Sequence, residues 1–191
     1  MIINSPNLRA LFTGFKANFM EGLGQAPKDH EFFCTPVNST TLDEEYPWLG
    51  ELPGMREWVD ERFLHNLKSE GYKLRNKDWE DTVTVPRNAI RDDRYGVYAT
   101  PMRALGTAAS SQPCELAYAT LKTGDSSLCY DGQFFFDTDH PVITPNGSQA
   151  TVSNYGGGAG ALWVLMCTTK PIKPILFQNR EDPNFVAMDT A

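Results

Sequence analysis

Between Ser127 and Pro141 the chain gathers Cys129, Asp131, Asp137, Asp139 and His140 in one short stretch. Two chemistries use such groups. A thiol beside an imidazole makes a nucleophile and its base, if a third group orients the base and donors hold an oxyanion. Carboxylates beside a histidine make a divalent-metal site, if several ligands converge. The sequence supplies neither condition. The other histidines, His30 and His65, are remote, so further metal ligands would have to be oxygens. A small cysteine between Leu128 and Tyr130 is more often buried than reactive. Asp-Thr-Asp-His-Pro reads instead as a turn in which aspartate side chains accept backbone N–H groups. On that reading Asp139→Ala or His140→Ala costs on the order of 1–2 kcal/mol of folding stability and no chemistry.

Two weaker signals fall away in the same manner. Gly156-Gly157-Gly158-Ala159-Gly160 lacks the Gly-Lys-Ser/Thr ending of a phosphate loop, and no amphipathic helix follows to offer its N-terminus to an anion. Lys73, Arg75 and Lys77 make a basic strip, but Asp78, Glu80 and Asp81 follow at once, which argues against a sequence-independent grip on DNA.

Composition points the same way. The 191 residues are 41% hydrophobic and 21% charged, with a net charge of −7 and a pI near 4.9, which fits a globular protein without a nucleic-acid-binding face. No segment has the apolar length of a membrane span, and Met1–Ser5 does not open a signal peptide, so residence in the cytoplasm is expected. Cys34, Cys114, Cys129 and Cys167 form no close pair and are expected to stay reduced.

The elements around these residues divide the chain into four stretches. Residues 1–47 carry an N-terminal helix and an arm. Ser5 is the expected cap, Pro6 fits the first turn, and Leu8, Leu11, Phe12, Phe15 and Phe19 form one stripe over 6–20 that must dock on its own domain or on a neighbouring copy. Gly22 and Gly24 are expected to end it, and 25–47 reads as irregular. Residues 48–94 hold three of the four tryptophans, and 51–94 alone has nine basic and ten acidic residues. Here Tyr72-Lys73-Leu74-Arg75 and Thr82-Val83-Thr84-Val85 alternate about a turn at 76–78, predicting a β-hairpin that projects from the body. Residues 95–124 read as helix, break, helix, with Pro113 opening the second helix. In residues 125–191, loops give way to an apolar run, Ala161–Cys167, predicted as a buried strand; Ile175–Phe177 and Phe185–Met188 are shorter strand candidates.

Several of these stretches together resemble one family. Tyr130-Asp131-Gly132, Phe135-Phe136, Thr138 and His140-Pro141 resemble the signature of the major head subunits of Mu-like phages, the T gene product family. Asn7 to Phe15 resembles the family's opening, and Trp48-Leu49-Gly50 with Met55-Arg56-Glu57-Trp58-Val59 its tryptophan-rich arm. Tyr72 to Lys77 through Val85-Pro86-Arg87, Asp92 to Gly96, Pro113-Cys114-Glu115-Leu116 and Lys173 to Arg180 complete the series.

The resemblance implies an α+β, HK97-like capsid fold with N-terminal arm, extended β-hairpin loop, spine helix and axial domain. It is expected to be incomplete here, because family members run on where this chain stops at Asp189-Thr190-Ala191. It implies a non-enzymatic subunit without cofactor or metal that self-assembles into the icosahedral shell, in the virion and, during assembly, the host cytoplasm. Its partners would be other copies in hexamers and pentamers, scaffold and decoration proteins, and packaged DNA only non-specifically, with no membrane and no small-molecule substrate. Exposed aromatic and Arg residues favour interfaces, so Arg56, Trp58, Arg62, Phe63, Tyr72, Lys73, Arg75 and Trp79 are the expected subunit contacts. Competing readings are a small metal-dependent or cysteine hydrolase acting through Cys129 and His140, and a non-viral interaction module.

Overall fold

The structure is a computed structural model that describes residues 3–47, 71–92, 94–144, 148–158 and 160–188. Its centre is a pair of helices, α1 (Ser5–Leu23) and α4 (Ala99–Lys122). The Asn4 side chain, not Ser5, caps α1, accepting the Asn7 N–H at 3.0 Å. The predicted stripe docks within the chain. Phe15 and Phe19 are buried, the Phe12 and Phe19 rings each lie 5.3 Å from Phe185, and Phe15 meets Tyr98 edge-on. The helix runs through Gly22 rather than stopping there, because Gly22 is a contact point. A Cβ at Gly22 would collide with the Arg103 carbonyl, and one at Gly106 with the Phe19 carbonyl, so the two helices meet backbone to backbone. Arg103 bridges the crossing to Glu21 at 2.9 Å.

Helix α4 is continuous, contrary to the expected break at Pro113. A proline inside a helix forfeits one backbone bond and crowds the preceding turn. The buried stripe of Met102, Gly106, Ser110, Cys114, Ala117 and Leu121 runs straight past it, so packing on both sides holds the helix together. Thr123 caps the end, and Gly124, buried under the Phe136 ring, follows.

Residues 25–47 are not a loose arm. They form α2 (His30–Phe33), β1 (Cys34–Asn38) and β2 (Asp43–Tyr46). The His30 ring sits 3.2 Å from the Cys114 sulfur, mooring α2 to α4. Phe33, Cys34, Ala117 and Leu121 make the core, with Phe135, Phe136, Val164, Met166, Ile175 and Phe177 packed on it. Strand β1 pairs in parallel with the distant β6 (Ile175–Asn179), so its polar sequence held no local hint of a partner.

The expected hairpin is also corrected. Strand β3 (Tyr72–Arg75) pairs antiparallel with β2, Asp43 opposite Arg75 and Tyr46 opposite Tyr72. Residues 82–85 belong to no strand among the described residues and lead into α3 (Arg87–Arg91) and a 3-10 turn, Arg94–Tyr98. Two-residue periodicity reveals a strand's faces, not its partner. A further ribbon, β4 (His140–Ile143) with β5 (Gln149–Val152), occupies a region expected to be loops. Two strand expectations fail: Ala161–Cys167 and Phe185–Met188 lie outside any strand, and Leu162, Trp163 and Leu165 are exposed rather than buried.

Candidate functional site

The 127–141 stretch folds as a tight loop. Cys129 N–H donates to the Gln133 carbonyl at 2.7 Å, and Gly132 takes the left-handed conformation (φ 85) that the turn demands. Two of its three carboxylates, Asp131 and Asp137, are engaged locally. Asp131 accepts the Gln133 N–H at 3.1 Å with one oxygen and lies 2.6 Å from His140 Nδ1 with the other. Asp137 accepts the backbone N–H groups of Thr138 (2.7 Å) and Phe134 (3.3 Å), and these bonds, that from Thr138 first, lower its pKa. Asn154 ties the loop down, accepting the Asp137 N–H and donating to the Phe135 carbonyl.

Burial, with Asp131 adding, raises the Cys129 pKa, which disfavours the thiolate a nucleophile needs. Burial likewise pushes the Cys34 thiol up to about 11, with Cys114 contributing. Among the described residues no three His, Cys, Asp or Glu side chains are grouped to hold a metal. The arrangement positions Phe135 and Phe136 on the core. Sequence reading missed that the partner of His140 is Asp131, nine residues back, rather than Asp137 or Asp139 beside it.

The predicted contact residues divide. Arg56, Trp58, Arg62 and Phe63 lie outside the described residues. Tyr72, Lys73 and Arg75 stand on β3, and Trp79 follows it, 59% exposed. On the outer face of the β2–β3 ribbon Lys73 pairs with Glu45 at 3.0 Å, and Arg75 lies 3.9 Å from Asp43. The acids opposite the basic strip are therefore in β2, not Asp78, Glu80 and Asp81. Antiparallel matching of Asp43-Glu44-Glu45 against Lys73-Leu74-Arg75 was the available signal.

A polar network holds the ribbon's inner side. Tyr46 OH donates to Gln178 Oε1 at 2.7 Å, Gln178 Nε2 to Asn76 Oδ1 at 2.8 Å, and Asn76 Nδ2 to Ser39 Oγ at 2.7 Å. Glu44 Oε1 accepts from the Thr40 and Thr41 N–H groups and from the Ser39 hydroxyl. Those bonds, led by the Thr40 N–H, hold the Glu44 pKa down to about 2. The Tyr72 hydroxyl donates to the Leu128 carbonyl at 3.4 Å, joining the ribbon to the 127–141 loop. The pairing of Tyr46 with Tyr72 brings the end of β2 and the start of β3 side by side.

Solved structures give the class. The chain matches one from the procapsid of bacteriophage JBD30 with a TM-score of 0.81 and 40% identity, covering 98% of this chain and 65% of that one. It matches the JBD30 capsid with a TM-score of 0.56 at 38% identity, covering 91% and 56%. A JBD30 capsid decorated with minor capsid protein trimers gives 0.54 at 40%, covering 86% and 56%. The fold is that of a phage capsid chain, consistent with the HK97-like class.

Within that class the chain belongs to the family of the Mu-like prophage major head subunit gpT, whose model matches residues 8–191. It is 41% identical to the Mu-like prophage FluMu major head subunit of Haemophilus influenzae, over 94% of this chain and 61% of that protein. It is 36% identical to the major capsid protein of Escherichia phage Mu, over 98% and 63%. The chain thus spans a little over three fifths of the length of these curated relatives. Neither the hydrolase nor the non-viral reading finds support among them.

Proposed function

We propose that this chain serves as the major head subunit of a Mu-like phage or prophage, building an icosahedral shell from copies of itself in hexamers and pentamers. The observation that carries the reading is the match to the procapsid chain over 98% of this chain. At comparable identity the capsid chains superimpose less well, so the arrangement is closer to that of the procapsid subunit. The subunit acts by assembly, without a catalytic step. Scaffold and decoration proteins are its further partners, and packaged DNA touches it only non-specifically, in keeping with the charge of −7. It works in the host cytoplasm during assembly and then in the virion.

We assign the 48–94 stretch, with the β2–β3 ribbon at its root, to contacts between subunits. The support is the exposed Trp79, the outward Lys73 and Arg75, and the common root at Tyr46 and Tyr72. Lys73 and Arg75 reach a neighbour already paired to Glu45 and Asp43, so register rather than net attraction is their contribution. Arg56, Trp58, Arg62 and Phe63 belong to the same proposed contact. The N-terminal helix and arm (1–47), the spine-helix region (95–124) and a partial axial and peripheral β region (125–191) are the other parts of the subunit that this chain supplies.

The test uses a chimera in which this chain replaces the matched stretch of the Haemophilus subunit. Sedimentation and electron microscopy should show closed shells or capsomer rings. A folded chimera that remains monomeric at every concentration and ionic strength, while the natural Haemophilus subunit assembles, contradicts the proposal.

A further inference from the structure

The β1–β6 and β2–β3 pairs are separate ladders among the described residues. Residues 39–42 connect them along the chain, and Gln178 of β6 connects them through space. Gln178 makes two bonds to well-separated points on the ribbon. Its Oε1 accepts from the hydroxyl of Tyr46, the last residue of β2, at 2.7 Å. Its Nε2 donates at 2.8 Å to Oδ1 of Asn76, the residue just past β3. Tyr46 stands opposite Tyr72, whereas Asn76 follows Arg75, so the two points belong to opposite ends of the ribbon. Four residues of strand, roughly 13 Å, separate those ends. One bond would leave a pivot, but two bonds at opposite ends fix a tilt.

The direction of each bond is forced. The Thr41 carbonyl only accepts, so the Asn76 atom 2.7 Å from it is Nδ2. Oδ1 of Asn76 then faces Gln178 and needs a donor, which of the two amide atoms only Nε2 can be. Oε1 is left toward Tyr46, whose hydroxyl must donate. Onward from Asn76, Nδ2 also donates to Ser39 Oγ at 2.7 Å, and the Ser39 hydroxyl reaches Glu44 Oε1 at 3.1 Å and the Thr41 carbonyl at 3.0 Å. The relay therefore starts at Tyr46 and ends on a carboxylate of the same strand, and its members reinforce one another. Ser39 and Tyr46 are buried, which keeps water from standing in for either end. We propose that Gln178 is the positioning residue of the ribbon: its two bonds set the tilt of β2–β3 against β1–β6, and so the direction in which the Lys73 and Arg75 face points. The tilt follows from the fold alone, and its use at a subunit boundary rests on the contact role proposed for residues 48–94.

Residual dipolar couplings of backbone amides test it in the 191-residue chain. In the unaltered chain the amides of 43–46 and 72–75 should share one alignment with those of 34–38 and 175–179. Gln178→Met keeps the side chain's length and removes both bonds. The ribbon couplings should then lose about half their magnitude, while those of β1, β6 and α4 are kept. Gln178→Glu sets an acceptor against Asn76 Oδ1 and leaves the Tyr46 bond, so its loss should be smaller. Ribbon couplings that keep the common alignment in Gln178→Met, with α4 intact, overturn the proposal. Should Gln178→Met fail to fold, Tyr46→Phe is measured instead, with one bond removed: weakened ribbon couplings support the proposal, and unchanged ones overturn it. Shell yield of the Haemophilus chimera separates positioning from contact. Gln178→Met should lower it. Weakened couplings with full yield uphold Gln178 as the positioning residue and remove the ribbon from the subunit contacts, whereas unchanged couplings overturn the positioning role whatever the yield.

Discussion

Helix α4 and the run 161–167 both offer apolar residues at regular spacing, and the molecule treats them in opposite ways. Helix α4 satisfies its backbone internally, so it needs only a face to lie on, and α1 and the core provide one. It even carries Pro113 through its middle. The run at 161–167 belongs to no strand among the described residues, and it turns Val164 and Met166 onto the core while leaving Leu162, Trp163 and Leu165 exposed. The helical half is packed within the chain, and the 161–167 run keeps large apolar side chains at the surface.

The largest expected effect lies in the helical half. Phe19→Ala should cost about 3–5 kcal/mol in denaturant unfolding, from lost transfer energy plus a cavity beside Phe185. A cost comparable to that of an exposed substitution would show that α1 is not docked on α4. Next comes a matched pair of glycines. Gly106→Ala pushes a methyl group into the Phe19 carbonyl and should destabilise by about 1–3 kcal/mol. Gly14→Ala, in the same helix pair but with nothing nearby, should stabilise by up to about 1 kcal/mol. Shifts of the same sign in the two unfolding midpoints would break the claim of a backbone-to-backbone crossing.

The ribbon should respond more weakly. Tyr46→Phe strips the hydrogen bond from Gln178 and should cost about 1–2 kcal/mol. Glu44 gives an acid signature. Its pKa is depressed in the fold from 4.5 to about 2, so its stabilisation is fully present above about pH 4.5 and is lost as pH falls through about 2. Glu44→Gln should therefore flatten the acid limb of stability against pH over that window, and an unchanged limb would remove Glu44 from the network. Smallest of all, Lys73→Ala should leave the thermal midpoint unmoved, since its pair with Glu45 is more than half exposed on both sides. The same substitution should lower shell yield if the ribbon lies at a subunit boundary.

This contrast also explains what the sequence made legible. The α1 stripe, the long helical region and the Ile175–Phe177 strand follow from local periodicity, and the chain's structure contains all three. The turn-like character of the Asp-Thr-Asp-His-Pro run was readable at Asp137, because its hydrogen bonds span only a few residues. The pairing of β1 with β6, of β2 with β3, and of His140 with Asp131 joins residues that no local pattern connects. Pro113 misled for a different reason: helix propensity is weak beside a buried stripe that continues on both sides of it.

The most direct measurement is a cryo-electron-microscopy reconstruction of shells assembled from the Haemophilus chimera. It should show α1 on α4 of the same subunit with Gly22 and Gly106 at the crossing, and the Lys73–Trp79 side of the ribbon against a neighbouring subunit. Shells in which the ribbon faces solvent, or a chimera that folds but builds no shell while the Haemophilus subunit does, would contradict the account.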